Sequence, residues 1–282
     1  MGGALKRIGF VDYNLDNFHA NVYLKLLRND LKDRGFTVAG GTGMLEKESR
    51  AWAAQNDVPY FQDVKDLDGA VDHYVILAPS NPETHMDLCE QVFPRGKSTY
   101  VDKTFAPDLR TARRIFSLAD RHGVAMQTTS ALRYTEAQDH VRSVGADKVL
   151  HAVTWGGGSS FGEYAIHPLE MIVSCMGAGV ERVMCRGTED HRQLLLDFAG
   201  GRTGVVNVYT RTRTPYAAAL TTTDGTRYFP VDTGRIFLNT AVAALDLFES
   251  GRPAIPREET LAIRRVLDLA GKAGTKKGFV KL

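Results

Sequence analysis

The stretch YVILAPSNPETH, residues 74–85, decides the fold class of this chain. Its first part, Tyr74 to Ala78, is an uncharged apolar run of the kind found in strands buried on both faces. Pro82 suits the first turn of a helix that continues to about Val92. The same order of strand and then helix repeats on both sides of this stretch, which predicts a parallel sheet with right-handed crossovers.

The first 130 residues are predicted to contain such a sheet with helices between its strands. The strands are predicted at 8–11, 36–39, 74–78, 98–102 and 124–128, and the helices at 17–32, 46–55, 82–92 and 108–122. Asp16 or Asn17 is expected to cap the first helix, and Gly40-Gly41 to end the second strand. We therefore predict an α/β fold with a Rossmann-type, doubly wound parallel sheet over residues 1–130.

The pattern changes near residue 146. Strands are predicted in series at 148–155, 180–186, 193–198, 203–209 and 217–223, and helices at 163–176, 235–249 and 258–273. Gly200-Gly201 and Asp224-Gly225 are typical of hairpin turns. Strands in series with helices at the ends predict an α+β domain with a mostly antiparallel open sheet over residues 131–282.

Composition excludes several classes of protein. A nucleic-acid-binding protein usually carries a strong basic excess, whereas the formal net charge here is +2. No apolar run approaches the roughly 18 residues of a membrane span, and Met1–Arg7 lacks the apolar core of a signal peptide. Cys89, Cys175 and Cys185 lie far apart without C-x-x-C spacing, which favours free buried thiols in a reducing cytoplasm over disulfides or a metal site.

Ligands of open parallel sheets bind beyond the carboxyl ends of the strands, so the residues there are site candidates. The loop that starts at Asp12 lacks the G-x-G-x-x-G of a dinucleotide site; only Gly9 is present, and Asp12 would repel a pyrophosphate. Thr42, after the second strand, is not accompanied by the acid that would bind ribose hydroxyls, which leaves NADP open beside NAD. His19 and Asp12 alone are too few for a metal site.

Several spaced motifs together resemble the Gfo/Idh/MocA family of oxidoreductases. They are Ser80-Asn81-Pro82-Glu83-Thr84-His85, Gly96-Lys97, Asp102-Lys103-Thr104, Arg133-Tyr134 and Glu163-x-Ala165-x-His167-x-x-Glu170. The resemblance covers nearly the whole chain in order and spacing. Thr104 stands where the family often has proline, so we expect the peptide bond before it to be trans.

The resemblance implies a site for NAD or NADP in the first domain and a substrate site in the second. It implies catalytic roles for Lys103, His167 and Glu163, with Lys103, Arg133, Glu163 and His167 binding a sugar or polyol. The implied cofactor-binding residues are Gly9, Asp12, Asn14, Thr42, Pro79, Ser80, Asn81, His85, Asp102, Lys103 and Arg133. His167 would be the general acid/base and Lys103 would orient the substrate hydroxyl.

The expected activity is NAD(P)-dependent hydride transfer to or from a sugar, cyclitol or related polyol. The expected protein is a cytoplasmic homodimer or homotetramer assembled through the second-domain sheet, with no nucleic-acid, membrane or metal partner. The altered first loop favours a different interpretation, a relative that has lost cofactor binding and acts as a ligand-binding or partner protein. A third is a lyase or hydrolase that uses tightly held NAD.

Overall fold

The computed structural model of the protein describes residues 5–282. Residues 1–4, which belong to the predicted first domain and to the N-terminal stretch Met1–Arg7, lie outside the described residues.

The first half of the chain alternates strands and helices. In chain order they are β1 (Lys6–Asp12), α1 (Phe18–Arg28), β2 (Phe36–Gly43), α2 (Glu46–Gln55), α3 (Val64–Asp68), β3 (His73–Ile76), α4 (His85–Val92), β4 (Thr99–Asp102), α5 (Leu109–Arg121), β5 (Met126–Thr129) and α6 (Glu136–Val144). Asn17 caps α1, since its side chain accepts hydrogen bonds from the amides of His19 and Ala20.

The second half is richer in strands. It contains β6 (His151–Gly157), α7 (Phe161–Tyr164), α8 (Ile166–Met176), β7 (Val180–Gly187), β8 (His191–Phe198), β9 (Arg202–Tyr209), β10 (Ala217–Thr222), β11 (Gly225–Pro230), α9 (Ile236–Ser250), α10 (Arg257–Ala270) and β12 (Val280–Lys281).

The chain divides into two compact units. The first unit comprises the residues up to Thr129 together with Phe237–Ile255, and the second comprises Ser130–Ile236 with Pro256–Leu282. The first boundary lies next to the predicted one, but the prediction gave residues 237–255 to the second domain. The spacing of apolar residues indicates that these residues form a helix, but it does not indicate which of the two hydrophobic cores the helix packs against.

The first unit holds a parallel five-stranded sheet in the order β2-β1-β3-β4-β5. Its core includes Phe10 and Tyr100 from the strands and Tyr23 and Leu24 from α1. The apolar face of α9 completes this core with Ala241, Ala244, Leu245, Leu247 and Phe248. Burial of that face accounts for the place of α9 in the first unit.

The second strand does not end at Gly40-Gly41 as predicted but runs on to Gly43. A Cβ atom at Gly40 would lie 2.5 Å from the ring of Phe61. The glycine therefore lets the strand pass close to a packed side chain, and close packing, not a turn, explains it.

The second unit holds a seven-stranded sheet in the order β11-β10-β6-β9-β8-β7-β12. All its pairings are antiparallel except that of β6 with β9. Helix α8 is buried along most of its length, with Leu169, Ile172 and Val173 fully enclosed. The predicted fold class, a Rossmann-type sheet followed by an α+β domain with a mostly antiparallel sheet, is confirmed.

Three cysteines, Cys89, Cys175 and Cys185, are buried free thiols. Within residues 5–282, no helix has both the length and the apolar character to cross a membrane.

Candidate active site

The strand order of the first unit reverses between β1 and β3, and such a switch point opens a ligand crevice at the carboxyl ends of the strands. Asp12 ends β1, and its Oδ1 accepts a 2.8 Å hydrogen bond from the amide of Ala78, which follows β3. Ala78 has a φ of 50°, a left-handed conformation that is rare for residues other than glycine. The carboxyl group of Asp12 thus bridges the two strand ends at the switch point and holds the turn after β3.

Side chains close the loop between β1 and α1. The side-chain amide of Asn17 donates to Oδ2 of Asp12 and to the carbonyl of Asn14, both at 2.7 Å. The amide of Asn14 donates to Oδ1 of Asp12 at 3.3 Å. Asp12, Asn14 and Asn17 have the spacing of the three glycines in a G-x-G-x-x-G turn, and here they are linked to one another.

The backbone amides of this loop are engaged within the protein. Those of His19 and Ala20 donate to Oδ1 of Asn17, at 2.9 and 3.1 Å. Leu15 donates to Oγ of Ser49 at 3.1 Å, and Asp16 to Oδ1 of Asn14 at 3.0 Å. A glycine fingerprint leaves such amides open for a pyrophosphate.

Burial raises the pKa of the Asp12 carboxyl group to about 7, although hydrogen bonds from Asn17, Ala78 and Asn14 act in the opposite direction. The group is 1% exposed. Asp12 therefore changes its charge close to neutral pH, at the position where a pyrophosphate would lie.

Asp102, at the end of β4, orients both Lys103 and His19. Its Oδ1 accepts from the amide of Lys103 at 2.8 Å, and its Oδ2 lies 2.5 Å from Nδ1 of His19. The carboxylate is 1% exposed. Its contact with His19 joins α1 to the end of β4. Nζ of Lys103 donates to the carbonyl of Pro79 at 3.4 Å, which brings the lysine to the turn after β3.

The peptide bond between Lys103 and Thr104 is cis, contrary to the expectation of a trans bond. The expectation weighed only the local preference of threonine. Residues 102–106 are all buried, so packing around the segment decides its course.

Three other predicted cofactor residues have contacts within the fold of the first unit. His85 is fully buried, and its ring nitrogens bind the carbonyls of Phe105 and Leu77 at 3.0 and 2.7 Å, so the ring ties two segments together instead of facing a ligand. A Cβ atom at Gly9 would lie 3.1 Å from side chains of α3 and of Val71, so packing suffices to explain this glycine. Oγ1 of Thr42 donates to a backbone carbonyl at 3.4 Å.

The remaining predicted cofactor residues lie around the turn after β3 and in the first loop. Pro79 and Asn81 are half-buried, Ser80 is exposed, and the side-chain amide of Asn81 donates to Glu83 at 3.1 Å. Asn14 is half-buried in the first loop.

In the second unit, His167 is a half-buried residue near the start of α8. Its Nδ1 lies 2.7 Å from Oγ of Ser130, the residue that follows β5. The rings of Tyr164 and Tyr216 flank the imidazole, with centroids at 5.8 and 5.9 Å. Burial raises the pKa of Tyr216 to about 12, so its hydroxyl keeps its proton at neutral pH.

Glu170 and Arg133 form a buried ion network beside this histidine. Oε2 of Glu170 accepts from the amide of Ser130 at 2.9 Å, and its Oε1 accepts from Nε of Arg133 at 2.7 Å. Nη1 of Arg133 donates to Glu259 at 2.6 Å, and the two carboxylates hold the pKa of the arginine above its ordinary value despite burial. Nη2 is buried and donates no hydrogen bond to any described residue. Contact of Arg133 with a cofactor or substrate stays a prediction.

Glu163 lies in α7, and Ala165 separates it from α8 and His167. Its Oε2 accepts from Oγ of Ser159 at 3.3 Å, and its amide donates to Oγ of Ser160 at the same distance. The glutamate is half-buried. The sequence predicted one continuous helix face for both side chains, whereas the structure divides that segment into two helices.

Sequence motifs missed Ser130 and Asn17. Ser130 directly follows β5 and caps the 3₁₀ turn Ala131–Arg133 through the amide of Leu132. A small polar residue at the carboxyl end of a parallel strand was the available signal. Asn17 was recognised only as a helix cap, and its link to Asp12 depends on the shape of the loop.

Comparisons with known proteins agree with this arrangement. Residues 16–130 match the Gfo/Idh/MocA family, described as "Oxidoreductase family, NAD-binding Rossmann fold". Over residues 16–130 the chain is similar to the NAD-binding Rossmann domain of the Gfo/Idh/MocA oxidoreductases. The match begins at Asp16, so β1 and the first residues of the altered loop lie outside it.

Similar proteins extend the likeness over both units. The rhizopine catabolism protein MocA of Rhizobium meliloti is 25% identical over 75% of this chain and 78% of its own length. Scyllo-inositol dehydrogenase of Lactobacillus casei, solved with NAD(H) and scyllo-inositol, has a TM-score of 0.81 at 13% identity and covers 98% of this chain and 99% of its own. An NAD-binding protein of Listeria innocua has a TM-score of 0.72 at 14% identity, with 98% and 96% covered. At these identities the solved structures establish a shared fold.

The donor set of the first unit fits a dinucleotide through its side chains. The ammonium group of Lys103 and the amide side chains of Asn14 and Asn81 lie near the carboxyl ends of β1, β3 and β4, where such cofactors bind. The backbone amides of the loop between β1 and α1 are engaged within the protein, and in this respect the site differs from the usual pyrophosphate site.

Proposed function

We propose that this protein is an NAD(P)-dependent oxidoreductase that oxidises or reduces one carbon of a sugar, cyclitol or related polyol. The family supports the oxidoreductase class, and the relative crystallised with scyllo-inositol supports a cyclitol as the first substrate to test. The nicotinamide, when bound, supplies the acceptor or donor of the hydride.

The observation that carries the proposal is the placement of His167. A half-buried imidazole is oriented through Nδ1 by Ser130 and flanked by two tyrosine rings. A contact at one ring nitrogen fixes the orientation of the other, as general acid/base catalysis requires. In this proposal His167 accepts the proton of the substrate hydroxyl group as the carbon that carries this group becomes a carbonyl.

Lys103 has the second catalytic role in this proposal. Its backbone is fixed by Asp102, and its ammonium group reaches the carbonyl of Pro79. A positive charge so held orients the substrate hydroxyl and stabilises negative charge on its oxygen. Glu163 binds further hydroxyl groups of the substrate. Asp12, Asn14, Pro79, Ser80 and Asn81 hold the cofactor.

A second candidate function is that of a ligand-binding or partner protein without cofactor. The engaged amides of the loop between β1 and α1 favour it, since they remove the usual pyrophosphate donors. Both candidates keep the same fold, and they differ in whether a dinucleotide binds.

The experiment that tests the proposal is a turnover screen with inositols and sugars as substrates and NAD⁺ or NADP⁺ as oxidant, followed by nicotinamide absorbance. His167→Asn is the informative variant, and His122→Asn, an exposed histidine after α5, is its control. We expect reduction of the cofactor by the wild type and by the control, and loss of turnover in His167→Asn. Unchanged turnover in His167→Asn would remove the assigned proton transfer.

The resemblance to the family also supports a cytoplasmic homodimer or homotetramer assembled through the sheet of the second unit. Light scattering of the purified protein measures its mass directly, and a monomer at working concentration would refute this part of the proposal.

A further inference from the structure

The carboxyl group of Asp12 lies buried at the start of the turn between β1 and α1. In doubly wound sheets the pyrophosphate lies at the turn between the first strand and its helix, and Asp12 begins that turn. A pyrophosphate in a dinucleotide carries two negative charges. An ionised carboxylate beside it repels it, and a protein interior screens this repulsion poorly.

The fold gives Asp12 no easy way to move aside. Its Oδ1 holds the amide of Ala78 at the switch point, and its Oδ2 holds the side chain of Asn17. Rotation of the carboxyl group would release both the turn after β3 and the cap of α1. The group therefore stays at the crevice, and its charge is the property that can change.

Cations do not neutralise this carboxylate in the part of the chain that the structure describes. Its hydrogen bonds come from amide groups, those of Ala78, Asn14 and the side chain of Asn17. The nearest histidine in sequence, His19, is paired with Asp102. The charged or titratable groups on the surrounding elements are Tyr13 and Asp16 on the loop, His19, Tyr23, Lys25 and Arg28 on α1, Glu46, Lys47, Glu48 and Arg50 on α2, and Asp102 and Lys103 at and after the end of β4.

We propose that Asp12 takes up a proton when the loop between β1 and α1 receives the pyrophosphate of a dinucleotide, so that cofactor and proton bind together. This inference rests on the proposed function. The protonated carboxyl group removes the repulsion. The proton comes from the buffer.

The state of Asp12 before binding supports this coupling. Burial already holds the pKa of the group at about 7, so the free protein at that pH is balanced between the two charge states. A nearby dianion raises the pKa further. By linkage, cofactor affinity then falls about tenfold for each pH unit above that value, and binding near pH 8 takes up close to one proton.

The test is calorimetric titration of the full-length protein with NADH and NADPH, near pH 6, 7 and 8, in buffers of different ionisation enthalpy. The dependence of the heat on the buffer gives the number of protons taken up. This measurement needs no variant. We expect uptake to rise with pH while affinity falls. Binding without proton uptake and with the same affinity at each pH would overturn the inference while leaving the proposed function intact.

The variant Asp12→Asn tests whether Asp12 is the residue that takes up the proton. The matched control is Asp16→Asn, which removes an exposed carboxylate of the same loop. We expect Asp12→Asn to bind with an affinity independent of pH and without proton uptake, and Asp16→Asn to behave as the wild type. Uptake that persists in a folded Asp12→Asn protein would overturn the assignment. If the folded wild type binds neither dinucleotide at any of these pH values, the proposed function fails, and the inference fails with it.

Discussion

Oγ of Ser130 lies 2.7 Å from Nδ1 of His167, and the backbone amide of the same serine donates to Glu170 one helical turn further along α8. One residue at the end of β5 therefore positions both the candidate acid/base and the carboxylate that pairs with Arg133. The relationship is internal to the second unit.

Replacing Ser130 by alanine removes the hydroxyl group that orients His167. We expect kcat to fall about 10- to 100-fold, because a loss of orientation by a fraction of an ångström has effects of that order. The pH profile of kcat should shift as well, since the imidazole loses a hydrogen-bond partner. Ser130→Thr, which keeps the hydroxyl group, should restore most of the rate.

Ser143→Ala is the control for Ser130, because it removes a hydroxyl group that bonds a carbonyl on the exposed face of α6. Equal pH profiles for Ser130→Ala and Ser143→Ala would mean that the serine does not position the histidine.

Two side chains predicted to act on the substrate should differ in their kinetic signature. His167→Asn is expected to lower kcat by about 10²- to 10⁴-fold, the usual contribution of a general acid/base. Glu163→Gln is expected mainly to raise KM, since the role proposed for this half-buried carboxylate is binding. Steady-state kinetics separates the two parameters. A larger kcat effect in Glu163→Gln than in His167→Asn would reverse the assignment.

Arg133 is expected to contribute mainly to stability. Its side chain is 10% exposed, between Glu170 at 6% and Glu259 at 15%. Arg133→Met leaves the buried carboxylate of Glu170 and the half-buried carboxylate of Glu259 without their cation, which should lower the free energy of unfolding by about 3–5 kcal/mol. Urea denaturation followed by circular dichroism measures the loss.

The control for Arg133 is Arg142→Met, which removes an exposed arginine paired with Asp139 on α6. Its effect should stay within about 0.5 kcal/mol. Equal losses in the two variants would show that the buried network contributes no more than a surface pair.

The pH dependence of stability is a second test of the ionisation of Asp12. Its pKa in the folded protein, about 7, lies above the ordinary aspartate value of 3.8, so the folded state binds more protons between these values. The stability contributed by protonated Asp12 is complete at low pH and is lost as the pH rises to about 7. Asp12→Asn cannot ionise, so its melting temperature should fall less than that of the wild type from about pH 5 to about pH 8. Parallel curves for the two proteins would exclude ionisation of Asp12 in this range.

Local patterns predicted the parallel sheet well, because its strands are short apolar runs, whereas the five-residue helix α3 was not predicted. They were less informative where packing decides. Gly40 signalled a turn although it accommodates the ring of Phe61, and the apolar face of α9 did not reveal that it packs beside Tyr23 and Phe10. Both outcomes depend on residues distant in sequence.

In the candidate site, too, local motifs were informative and contacts between residues distant in sequence were not predicted. Asp102, Lys103 and His167 were singled out from motifs, whereas the contacts of Asp102 with His19 and of His167 with Ser130 were not foreseen. His19 and Asp102 are separated by 83 residues, and Ser130 and His167 by 37. Pairs so far apart leave no periodic signal. Similarly, the sequence revealed that glycines are absent from the first loop, but only the structure reveals that Asp12, Asn14 and Asn17 bond to one another in their place.

The measurement that tests the central claim most directly is a binding titration of the purified protein with NADH and NADPH, followed by nicotinamide fluorescence near pH 6, where Asp12 is mostly protonated. An oxidoreductase of this family is predicted to bind at least one of them with a micromolar dissociation constant. Absence of binding up to millimolar concentration, with the protein folded by circular dichroism, would contradict the claim and favour a ligand-binding or partner protein that has kept the fold.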